Sequence, residues 1–118
     1  MAVEELRILA TAERMETWLH RTLEKIPKYA RFPVYAQMKG TMRILRRLIL
    51  ECNQARDKTS YFTKIDLELL LLRSDVRVML ESRLITPGEF KVWGEEIDKI
   101  GRQLGAWGKA CHIYTAKG

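Results

Sequence analysis

The side chains able to do acid–base, nucleophilic or metal chemistry near neutral pH are few: His20, His112, Cys52 and Cys111. Their spacing is not that of a metal site, and two cysteines are too few for a disulfide framework. His20 stands beside Trp18, Leu19 and Arg21 with no nucleophile or second ligand at a workable distance along the chain, so a packed or surface histidine is the simpler reading. Glu4-Glu5 and Glu95-Glu96 are adjacent pairs. On a helix such neighbours point to different faces and cannot share a proton. Gly94, Gly101, Gly105 and Gly108 lack the preceding strand and the Lys-Ser/Thr ending of a phosphate-cradling loop. The expectation is a protein that is not an enzyme, with no metal, cofactor or small-molecule substrate.

Charge is the sharper signal. The chain carries 21 basic and 15 acidic residues, a net charge of +6. Lys25, Lys28, Arg31, Lys39, Arg43, Arg46 and Arg47 follow one another with no acidic residue between Glu24 and Glu51. Lys39, Arg43 and Arg46 fall within roughly 60° of one another on a helical wheel, with Arg47 at the edge. Such a face makes phosphate contacts and releases counterions from a nucleic acid. Tyr29, Phe32 and Tyr35 lie among these charges, as aromatic platforms do in single-strand binders. We therefore take Lys28, Arg31, Lys39, Arg43, Arg46 and Arg47 as the candidate nucleic-acid surface, RNA or DNA. Nothing in it reads base edges. The competing reading is a solvated face that keeps the protein soluble.

These side chains need helices to position them. With 118 residues, 47% of them apolar and only three prolines, the chain reads as one all-α domain large enough to bury a core. Helices are predicted over about 3–26, 35–54, 63–84 and 87–110, with a loose tail at 111–118. Pro27 and Pro33 bracket an interruption between the first two. Thr63 and Asp66 suggest a capping box for the third helix, and Thr86-Pro87-Gly88-Glu89 suggests one for the fourth. Helix four carries Phe90, Trp93, Ile97, Ile100, Leu104 and Trp107, alternately 3 and 4 residues apart, a narrow apolar seam. Four amphipathic helices with short connections imply an up-down-up-down bundle. The glycines of helix four imply close approach by another helix or subunit, since each costs about 1 kcal/mol against alanine. No apolar run approaches about 18 residues, and the N-terminus has acidic residues at once, so a cytoplasmic protein with neither membrane span nor signal peptide is expected.

Helix three is apolar nearly all round, through Leu67, Leu69, Leu70, Leu71 and Leu72 and then Val76, Val78, Met79 and Leu80, which implies burial on more than one side and hence an oligomer. Arg73 and Arg77 emerge from it one turn apart. They either pair with Asp66, Asp75 or Glu81, or anchor a protein partner.

Four short motifs carry a family likeness: Ile26-Pro27-Lys28, Leu72-Arg73-x-x-x-Arg77, Ile85-Thr86-Pro87, and Ile100-Gly101-Arg102 continuing to Leu104-Gly105 and Trp107. Between about Leu19 and Ala110 the chain resembles the accessory variability determinant (Avd) proteins of diversity-generating retroelements and their relatives, the ribosomal-RNA intervening-sequence four-helix proteins. The resemblance implies a homopentameric barrel of four-helix protomers. Its partners would be a dedicated reverse transcriptase and template-repeat RNA, with the protein needed for mutagenic cDNA synthesis and retrohoming but not catalytic. By matching position, Arg73 and Arg77 would help engage the reverse transcriptase, and Lys28 matches the basic residue after the family's proline. Lys39, Arg43, Arg46 and Arg47 have no such match. Two other outcomes stay open: an intervening-sequence-type oligomer with no reverse transcriptase partner, and a structural oligomer that meets an acidic protein.

Overall fold

The computed structural model describes residues 3–112, with side chains described for 7–29 and 33–112. Four helices follow in order: α1 (Val3–Leu23), α2 (Lys28–Gln54), α3 (Thr59–Glu81) and α4 (Pro87–Ala110). Each has an apolar seam at 3- and 4-residue spacing that turns one face inward. On α2 the seam is Met38, Met42, Leu45, Ile49 and Cys52; on α3 it is Phe62, Ile65, Leu69, Leu72, Val76 and Met79, all buried. Helix α1 packs on α2 and α4, and α3 packs on α2 and α4, while the backbones of the diagonal pairs do not come within 8 Å of each other among the described residues. The result is an all-α four-helix protein with one shared core.

Trp93 and Trp107 of α4 are the largest side chains in that core, at 0% and 1% exposure. Trp107 lies 5.1 Å from Phe62 of α3 and Trp93 lies 4.5 Å from Trp18 of α1, centroid to centroid, both pairs tilted. These two contacts tie α4 to its neighbours at opposite ends of its seam.

The helix boundaries correct the sequence expectation in three places. Helix α2 begins at Lys28 rather than at residue 35, with Pro33 inside it. Pro27, at φ −54° and ψ 143°, is the extended residue from which α2 departs. Pro33 is the sixth residue of α2; it cannot bond the Tyr29 carbonyl and its ring crowds that carbonyl, and the 21 helical residues that follow it outweigh the cost. Helix α1 ends at Leu23, short of 26. Ile26 precedes a proline and so leaves the helical region, yet it remains buried beneath the connection. Helix α3 runs from Thr59 to Glu81, not 63–84. Asp57 Oδ1 accepts from the Thr59 N–H at 3.0 Å, so the start lies a turn before the expected Thr63–Asp66 box.

The same junction holds a cap that sequence inspection missed. Lys58 Nζ donates to the carbonyls of Cys52, Asn53 and Ala55 at 2.8, 3.1 and 2.7 Å. A cation thereby satisfies acceptors that the end of α2 leaves open. At the end of α3, Leu84 N–H donates to Met79 O and Arg83 N–H to Leu80 O, at 2.9 and 3.0 Å. That is a Schellman closure, with Arg83 at φ 60° in the position that glycine usually takes. Helix α4 starts with the expected capping box: Glu89 N–H donates to Thr86 Oγ1, and Thr86 N–H to Glu89 Oε1. Cys111 and His112 form a turn after α4, and residues 113–118 of the expected tail lie outside the described residues.

Candidate nucleic-acid and partner surfaces

The buried seam of α2 fixes the rotation of that helix and so decides where each cation goes. Lys39 is exposed and its Nζ stands 5.3 Å from the centroid of the Tyr35 ring, a cation–π contact. The Tyr35 hydroxyl in turn meets His20 Nδ1 of α1 at 3.2 Å. His20 thus packs against Tyr35 at the α1–α2 seam. Among the described residues no group of histidine, cysteine and carboxylate side chains is placed to hold a metal ion.

Arg43 is exposed and makes no ion pair among the described residues. Lys28, eleven residues before Lys39, returns to nearly the same face about 16 Å away along the axis and is also exposed. Arg46 and Arg47 differ. Arg46 Nη2 reaches Glu16 Oε2 of α1 at 2.7 Å, with the two side chains 29% and 14% exposed. Arg47 Nε donates to Glu51 Oε1, one turn on, at 2.7 Å. The six expected cations therefore fall into separate groups. Lys28, Lys39 and Arg43 are exposed and form no ion pair among the described residues, Arg46 and Arg47 are ion-paired, and the Arg31 side chain lies outside the described residues.

Arg73 and Arg77 sit on the flank of α3 that faces α4. Arg73 Nη2 donates to Asp98 Oδ1 of α4, not to the expected Asp66, Asp75 or Glu81. Arg77 is exposed and has no ion pair among the described residues. Both arginines line a cleft of about 100 Å³ with Val76, Phe90, Gly94 and Ile97. Gly94 forms part of its wall, and a Cβ added there, or at Gly101 or Gly105, would meet nothing within 4 Å. Close helix approach within the protomer is therefore not what these three glycines serve, a correction to half of the expectation.

The outer side of α3 is apolar and open. Leu67, Leu70, Leu71 and Val78 are 63%, 54%, 47% and 59% exposed, while Leu69, Leu72 and Val76 of the same helix are in the core. Exposed leucines and valine repeated along one helix form the kind of patch that marks an interaction surface. On the remaining flank of α3, burial pushes the carboxyls of Glu68 and Asp75 above the usual carboxylate range. Glu68 Oε2 has no hydrogen-bond partner among the described residues.

No helix among the described residues is long and apolar enough to cross a membrane. A family model described as bAvd-like matches residues 6–111 of the chain. Neither the curated proteins nor the solved structures contain a match to it.

Proposed function

The chain belongs to the bAvd-like family, a non-catalytic accessory type associated with diversity-generating retroelements, and we propose from this that it acts as the accessory subunit of such an element. In this reading it binds the element's reverse transcriptase and its template-repeat RNA or cDNA, and supports mutagenic cDNA synthesis and retrohoming in the cytoplasm. The protomers are up-down-up-down bundles assembled as a homopentamer. The open apolar face of α3 is the surface that assembly would cover, and the cleft between Arg73 and Arg77 is the reverse transcriptase contact.

The observation that carries the nucleic-acid part is the face of α2 bearing Lys28, Lys39 and Arg43, which are exposed and form no ion pair among the described residues. Exposed cations on one helical face attract phosphates without reading sequence. The test is RNA binding titrated against salt, for the wild type and for a variant with Lys39, Arg43, Arg46 and Arg47 changed to Gln. A steep slope that the variant loses supports the reading. Equal behaviour of the two proteins removes the α2 face from it. Binding to polyglutamate as tight as to RNA would favour an acidic protein partner instead.

A further inference from the structure

The other flank of α1 carries a second cationic surface that the charge run on α2 does not include. Arg7, Arg14 and Arg21 recur every seven residues, so they share one face of α1 about 10 Å apart along its axis. All three are exposed. That face looks toward α4, whereas Glu16 and His20 look toward α2. Between α1 and α4 lies a cavity of about 390 Å³, lined by Arg14, Thr17, Trp18, Arg21, Val92 and Glu96 together with Met15. Its volume is in the range of small-ligand sites, about 300–1,000 Å³.

The groups lining it differ in kind and are complementary in use. Trp18 is half-buried, held in place by its contact with the Trp93 ring at 4.5 Å, and it still borders the cavity. Arg21 has no ion pair among the described residues. Arg14 Nη2 is 4.0 Å from Glu96 Oε2, close enough for attraction but too far for a hydrogen bond. Glu96 Oε2 is itself buried and has no hydrogen-bond partner among the described residues, while the Glu96 side chain as a whole is 30% exposed. A fixed indole, two flanking guanidinium groups and a partly exposed carboxylate that lines the cavity are brought together by residues 14, 18 and 21 of one helix and residue 96 of another.

We propose that this α1–α4 groove is a binding site for an unpaired nucleotide of a single strand. The base stacks on Trp18, its flanking phosphates meet Arg14 and Arg21, and Arg7 extends the cationic path along α1. Glu96 accepts from N–H groups on the base edge. A carboxylate suits guanine, whose edge offers adjacent N–H donors, and disfavours uracil, whose single N–H lies between two carbonyl oxygens. A duplex does not fit, because its bases are not free to splay onto an aromatic ring. The inference rests on the nucleic-acid reading above and moves the strand-selective contact from α2 to the α1–α4 groove.

The experiment uses the full chain with a uridine-rich single-stranded RNA oligomer containing one guanine, the same oligomer without it, the DNA counterpart of the first, and a duplex. Binding and quenching of tryptophan emission are followed together. The single strands are expected to quench the wild type, the RNA and its DNA counterpart alike, because the contacts are to base and phosphate. Trp18→Leu should weaken single-strand binding roughly tenfold to hundredfold and leave duplex binding unchanged. Because Trp18 also packs on Trp93, the surface variant with Arg14→Gln and Arg21→Gln is the companion: it should lower the single-strand salt slope by about 1.4. Glu96→Gln should erase the preference for the guanine-containing oligomer.

Single-strand binding that neither variant changes overturns the groove while leaving the α2 reading intact. Loss of single-strand binding in the groove variants, with none on removing the α2 charges, does the reverse. Polyglutamate quenching the wild type as strongly as the oligomers would assign the groove to an acidic peptide and overturn the proposal.

Discussion

Arg46 of α2 donates to Glu16 of α1 at 2.7 Å, and in doing so leaves the basic face to which its position in the helix assigns it. The pair joins two helices across a seam where Glu16 is only 14% exposed. Arg46 is therefore a structural cation, while Arg43, one turn earlier, is an exposed one. The two should separate cleanly. Arg43→Gln is expected to lower the salt slope of RNA binding by about one, with little change in stability. Arg46→Gln should leave the slope unchanged and lower stability by roughly 1–3 kcal/mol, because Glu16 loses its partner in a partly buried place. Salt titrations and urea melts of the two variants check this; equal slopes lost by both would return Arg46 to the binding surface.

Trp107 is 1% exposed and lies against Phe62. Trp107→Ala should lower the unfolding free energy by about 3–5 kcal/mol, as for other buried aromatics. An unchanged denaturation midpoint would mean that the α4 seam does not hold the core.

Gly101 has open space where a Cβ would stand. Alanine there should stabilise the protomer by about 1 kcal/mol through helix propensity alone. If the glycines of α4 serve contact between subunits, the role a pentamer would give them, the same substitution should loosen the assembly. Native mass and thermal melting of Gly101→Ala report both effects, and a more stable protein of unchanged oligomeric mass would exclude that role for Gly101.

Arg73 and Arg77 border one cleft but carry different electrostatic surroundings, since Arg73 is paired with Asp98. On the accessory-subunit proposal, replacing both with alanine should reduce co-purification of a reverse transcriptase by about tenfold without changing the oligomeric mass, and Arg77→Ala alone should account for most of that loss. Equal recovery with mutant and wild type would take the cleft out of the interface.

Burial raises the carboxyls of Asp75 and Glu68. A carboxyl whose folded pKa lies above its unfolded one disfavours the folded state once it ionises. Stability should therefore fall as pH rises from the ordinary carboxylate range through the raised folded value, and stay lower above it. Asp75→Asn and Glu68→Gln should each stabilise the protein at neutral pH, with the advantage over wild type shrinking as the solution is acidified. Melts from about pH 4 to pH 8 span the carboxylate range and test this; a difference that grows on acidification would contradict it.

What the amino-acid order determined by itself is local. The 3- and 4-residue spacing of Phe90, Trp93, Ile97, Ile100, Leu104 and Trp107 identifies the inward face of α4, and Thr86 with Glu89 sets its start. Both are legible because a helix repeats every 3.6 residues and a capping box closes within four. The motifs around Pro27, Arg73, Pro87 and Gly101 likewise point to the bAvd-like family that matches residues 6–111. The tertiary structure decided which charges remain free. Glu16 with Arg46 and Arg73 with Asp98 join residues 30 and 25 positions apart, and whether such side chains meet depends on the rotation and register of two helices. The charge count over 25–50 ran in the other direction too. It drew attention to α2 and hid Arg7, Arg14 and Arg21, whose 7-residue recurrence was visible but whose importance depends on the α1–α4 groove beside them. Pro33, which lies inside α2, follows the same logic. A proline marks a lost hydrogen bond, but whether the helix ends there is settled by the packing of everything after it.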